Sequence, residues 1–184
     1  MIPLKIAKAL KRLVECADPP GNTGKYPGVH LVTDEDDTVV FVESANSVAA
    51  IQITYDDADL EADWFDIVIP HDELCAVVKA KTDYIPDFAE FDGVSDWPDI
   101  DSALDEHELG EDEGVAIWPR SGLQLQFLHA VSSAFRDVFG KNARIRMTQG
   151  EYKGPITFKA DLRDNDIEMI IYLMPILLWN DEGE

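Results

Sequence analysis

His71 and Cys75 stand four residues apart in Ile69-Pro-His-Asp-Glu-Leu-Cys75, a spacing that puts two side chains on one face of a helix. A thiol beside an imidazole can be an activated nucleophile. The neighbouring Leu74 and Val78 instead make Cys75 part of an apolar stripe, and a core thiol is the better reading. The run is not the His-Glu-x-x-His pattern of a zinc site, and the chain holds no Cys-x-x-Cys. Asp99-Ile-Asp101 opens like a calcium loop but lacks the glycine and the distal glutamate in register, so a solvated acidic loop fits it better. Neither a phosphate-cradling glycine loop nor a dinucleotide fingerprint occurs. The sequence predicts no catalytic residue, no metal site and no cofactor: a protein that is not an enzyme.

A second chemistry lies near the start. Lys5, Lys8, Arg12 and Glu15 recur at helical spacing, with Lys11 nearby, opposite a stripe of Leu4, Ala7, Leu10, Leu13 and Val14. Four cations on one helix face can meet phosphates without reading bases, which gives salt-sensitive, sequence-independent contact. Two other readings remain open. Lysine-rich faces also serve solubility alone, and a membrane-surface helix has this charge pattern, although residues 4–16 hold none of its bulky aromatic anchors.

Charge sorts along the chain. The 184 residues carry 37 acidic and 15 basic side chains, a net charge of −22, which excludes a protein coated by nucleic acid over its whole surface. From Thr82 to Pro119 there are 13 acids and no Lys or Arg, while bases gather at Lys5–Arg12 and Arg136–Arg146. Faces of opposite sign or a merely solvated surface both fit this sorting. At 46% apolar residues the chain can build a sizeable core in one or two domains. It lacks an apolar run of membrane-spanning length and a leader-like start. Cys16 and Cys75 read as buried, reduced thiols, and the predicted location is cytoplasmic, with no membrane partner.

The elements that would position these residues follow from periodicity. Residues 4–17 read as an amphipathic helix started by Pro3 and ended by Asp18-Pro-Pro-Gly21. Val29–Thr33, Thr38–Glu43 and Ser47–Tyr55 read as strands, and Asp66–Ile69 as a short strand entering a helix over His71–Lys81. An acidic loop spans 82–114, and Val115–Trp118 reads as a returning strand. Leu123–Phe127 alternates like a strand and leads into a helix over Leu128–Phe139, stopped by Gly140. Strands over Ala143–Thr148, Pro155–Ala160 and Ile167–Tyr172 follow, then an acidic tail. The expectation is an α+β fold of two units, each a helix followed by three antiparallel strands, with the helices on one face of the sheet. The predicted division is a first half-unit over 1–58, an interrupted middle over 59–121, and a last half-unit over 122–184.

At the chain's end, Gly154-Pro-Ile-Thr-Phe-Lys-Ala160 and Ile167-Glu-Met-Ile-Ile-Tyr-Leu-Met-Pro-Ile-Leu-Leu178 resemble the closing strands of the bacterial DNA polymerase III beta subunit, the sliding clamp. Ile6–Ala17 with Tyr26-Pro-Gly-Val-His-Leu31, Phe65-Asp-Ile-Val-Ile-Pro-His-Asp-Glu-Leu74 and Asp96-Trp-Pro-Asp-Ile100 are similar to further spans of that family, in the same order. The resemblance covers roughly half the chain. Val42-Glu-Ser-Ala-Asn-Ser-Val48 departs from it, standing where the family has Ala-Thr-Asp-Gly-His-Arg-Leu. It implies the DNA-clamp (processivity) fold of repeated strand-helix-three-strand units. It also implies a homo-oligomer, with more subunits in any ring than usual, that tethers replication enzymes to double-stranded DNA. Lys5, Lys8, Lys11, Arg12 and Arg136 would contact DNA weakly and without sequence preference. Met174, Pro175, Ile176 and Leu178 would line a pocket for short linear motifs of DNA polymerase or other replication enzymes, unless they are only a last core strand. The competing expectation is a clamp-derived acidic interaction or inhibitor protein, a DNA mimic that does not encircle DNA.

Overall fold

Alternation of apolar and polar residues makes the strands, and it decides which side of each is buried. The computed structural model describes residues 2–17, 28–33, 39–45, 49–56, 66–83, 121–122, 125–149, 155–162, 167–173 and 176–177. Helix α1 (Leu4–Ala17) is followed by β1 (Gly28–Thr33), β2 (Val39–Ala45) and β3 (Ala49–Asp56), then β4 (Asp66–Pro70) and α2 (His71–Ala80). After a two-residue strand β5 (Ser121–Gly122) come α3 (Leu125–Phe139), β6 (Arg146–Gln149), β7 (Ile156–Leu162), β8 (Ile167–Leu173) and β9 (Ile176–Leu177).

Seven strands form one antiparallel sheet in the order β4-β1-β2-β3-β8-β7-β6, and β5 pairs with β9 separately. Six of the seven, β1-β2-β3-β8-β7-β6, read alike from either end: the third strands of the two helix-plus-three-strand units, β3 and β8, pair at the centre from Ala49↔Leu173 to Tyr55↔Ile167. Three strands and a helix expose too much apolar surface alone, and joining two such units buries it in one core. One register row crosses the sheet as Leu31, Val42, Ile53, Met169 and Ala160, all buried. The row beside it, with His30, Gln52, Ile170, Lys159 and Arg146, lies on the opposite face. On that face Lys159 pairs with Glu168 at 3.0 Å.

The helices lie together on the buried side, with α1 packed against both α3 and α2. Ile6, Ala7, Ala9 and Leu10 of α1 are buried, as are Phe127, Ala130, Val131, Ala134, Phe135 and Val138 of α3. Phe135 and Phe139 stack with ring centroids 6.0 Å apart. At the other end of the sheet Gly28 faces Pro70, and a Cβ there would sit 2.1 Å from the Ile69 carbonyl oxygen, so β1 and β4 can approach only at a glycine. His30 Nε2 and Asp66 Oδ1, 2.7 Å apart, tie the same two strands.

Several boundaries differ from the periodic reading. Residues 125–127 are helical, not the end of a strand: Phe127 joins the buried stripe of α3 while Leu125 is 81% exposed. Leu125 and Phe127, which continued the alternation, are therefore part of a helical pattern. Strand β6 starts at Arg146, three residues later than expected. Lys81, at φ 58°, closes α2 with its N–H on the Val77 carbonyl, and Gly140, at φ 81°, closes α3 on Arg136. The expected acidic loop beyond Asp83, the Val115–Trp118 strand and the acidic tail lie outside the described residues.

Candidate nucleic-acid interface

The buried residues of α1 fix where its cations go. At 3.6 residues per turn, Lys5, Lys8, Lys11 and Arg12 fall within about 120° of the helix circumference, opposite Ile6 and Leu10 and bordered on either side by buried Ala7 and Ala9. Lys5, Lys8 and Lys11 are half-buried, and Arg12 is exposed. The apolar stripe is wider than predicted, because α1 is covered by the sheet and by two helices. The side chains of Leu13 and Val14 are outside the described set. Arg136 lies exposed on α3, the helix that packs against α1.

Two carboxylates shape this surface. The backbone N–H of Leu4, the first residue of α1, donates to Asp83 Oδ1 at 2.7 Å, where a negative charge satisfies an orphan donor and suits the helix dipole. Pro3 completes the cap, its carbonyl accepting from Ile6 and Ala7. One member of the acidic run is thus a structural part of the basic helix. Changing Asp83→Ala is expected to lower stability by about 0.5–2 kcal/mol, read as a lower urea midpoint, while Asp83→Asn keeps most of it. The second carboxylate is Asp137, near the end of α3, which pairs with the Arg12 guanidinium through Nε. Neither contact has a local sequence signal: the partners are 79 and 125 residues apart.

Of the pocket residues expected near the end, Met174, Pro175 and Leu178 lie outside the described residues. Ile176 is in β9, opposite Gly122 and apart from the seven-stranded sheet, whose last strand ends at Leu173. The His71 side chain is outside the described set, and Cys75 is half-buried rather than fully buried. Among the described residues no group of three His, Cys, Asp or Glu could hold a metal ion, and no helix is long and apolar enough to cross a membrane.

No protein-family model matches this sequence, and no curated protein matches it. Solved structures do. The chain superposes on a Helicobacter pylori beta clamp in complex with 3,4-difluorobenzamide with a TM-score of 0.60 at 11% identity, covering 96% of this chain and 65% of the clamp. The Streptococcus pneumoniae DNA polymerase III beta chain gives a TM-score of 0.55 at 14% identity over 95% of this chain and 63% of that one. A. fulgidus PCNA, bound to the C-terminal region of FEN-1, gives 0.55 at 9% identity over all of this chain and 98% of the PCNA chain. This chain thus spans about two thirds of the bacterial clamp chains it matches and nearly the whole of the PCNA chain. The antiparallel sheet of paired three-strand units, with its helices on one face, is the DNA-clamp fold.

Proposed function

We propose that this protein is a non-enzymatic, sliding-clamp-like tether, a processivity factor that holds DNA replication enzymes on double-stranded DNA in the cytoplasm. The observation that carries the reading is the placement of Lys5, Lys8, Lys11 and Arg12 on the side of α1 opposite its buried stripe, in a fold whose helices share one face. Contact there is with phosphates, sequence-independent and weakened by salt.

A tether of this kind encircles DNA only as an assembly, and the sheet offers the joint. Strand β4 with α2 stands beside β1, but β6, the counterpart of β1 at the other end, has no such neighbour among the described residues. Ile145 and Met147 are 38% and 39% exposed there, flanked by exposed Arg144 and Arg146. The strand-helix unit of a second copy offers Asp72 and Glu73 in the first turn of α2, opposite in charge to Arg144 and Arg146, and a strand edge unpaired among the described residues. Such head-to-tail contacts make rings when the rotation closes. Met174, Pro175, Ile176 and Leu178 are proposed to receive short linear motifs of polymerases and related enzymes. FEN-1 bound to A. fulgidus PCNA is a precedent on the same fold.

Retention on nicked circular DNA tests the reading. An oligomer that stays on the circle at moderate salt and is lost when the circle is cut supports a topological tether. A monomer that ignores both forms at low salt excludes it. That outcome would favour the second reading, an acidic interaction or inhibitor protein that mimics DNA. The bond from Asp83 to α1 supports this alternative, because it puts the first of the 13 acids at the N-terminus of the helix that carries the lysines.

A further inference from the structure

The helix layer contains a carboxylate where none is needed for folding a helix. Asp137 is the single acid in α3 and sits in its last turn, where the helix dipole disfavours negative charge. Its side chain is only 17% exposed, and its partner is Arg12 of α1, whose side chain is 42% exposed. Among the described side chains, the other charged groups of α1 and α3 are cations: Lys5, Lys8, Lys11 and Arg136. A phosphate reaching Arg12 therefore meets a guanidinium already engaged by a fixed carboxylate.

We infer that Asp137 sets how strongly the protein grips DNA, by withholding Arg12 from the phosphate backbone. This rests on the tether reading and specifies its strength. A ring is retained by topology, and each additional fixed phosphate contact would slow its movement along the duplex. Asp137 takes one such contact away without removing the cation from the sequence. It is a positioning residue, acting on DNA through Arg12.

The test is a comparison of the wild type and its variants in affinity for nicked circular duplex DNA across salt. In Asp137→Asn the amide oxygen still accepts from the guanidinium, but the charge that competes with phosphate is gone. The expected result is tighter binding at low salt, about threefold or more, with a steeper salt slope by about 0.9. The affinity loss between about 50 and about 200 mM salt then grows by roughly 3.5-fold. Arg12→Gln alone leaves the Asp137 carboxylate without its cation and should weaken binding, and the double variant R12Q/D137N should return close to wild type. Glu168→Gln removes the same charge from the opposite face of the sheet, where Glu168 pairs with Lys159, and should leave binding unchanged. If D137N lowers the unfolding midpoint, Asp137→Ala with the same cycle replaces it. A gain in D137N no larger than in E168Q overturns the inference, as does a double variant that keeps the whole gain. Wild-type protein with no salt-sensitive DNA binding overturns the tether reading itself, which separates the two failures.

Discussion

Reversing two charges on α1, K5E/K8E, is expected to weaken binding to duplex DNA by about 100-fold at about 0.1 M salt. Each phosphate left without its cation at that salt removes a factor of about eight, and two introduced carboxylates add repulsion. Folding should be only modestly affected, by about 1 kcal/mol, because both residues are half-buried but neither belongs to the core. The pairing of a large binding loss with a small shift in the urea midpoint is the signature of a binding role. Loss of both together would place these lysines in the structural frame instead.

The contrasting case is Phe135→Ala. Phe135 is fully buried and stacks on Phe139, and truncating such a ring typically costs about 3–5 kcal/mol in transfer and cavity energy. Against the total of about 5–15 kcal/mol that holds an ordinary domain together, the urea midpoint should fall sharply. DNA binding should fail with it, since α3 braces α1 from the side. A shift below about 1 kcal/mol would mean that the α3 side of the core is far looser than the packing indicates.

Much of this frame was legible in the sequence. The period-two runs of Val29–Thr33 and Ile167–Tyr172 and the period-3.6 stripe of α1 each depend on one buried face, so each is written locally. The two units of a helix and three strands followed from their order along the chain. What could not be read locally was set by neighbours distant in sequence. Leu125 continued an alternation by accident, and its exposure follows from Phe127 turning into the core. Asp83 looked like one more acid of a solvated run, yet it caps α1. Arg12 looked equivalent to Lys5 and Lys8, but Asp137 reaches it from α3. The basic face itself was evident from spacing, because a helix must bury one side. Its neighbours were not, because only the folded layer brings α3 beside α1.

The tether reading requires that the helix layer, not the outer face of the sheet, meets DNA. Lysine acetylation with and without duplex DNA, read residue by residue by mass spectrometry, measures this directly. Lys5 and Lys8 are expected to be strongly protected by DNA at low salt and to regain reactivity as salt rises, while Lys159, on the opposite face of the sheet, reacts equally in both samples. Protection of Lys159 with Lys5 and Lys8 left fully reactive would contradict it.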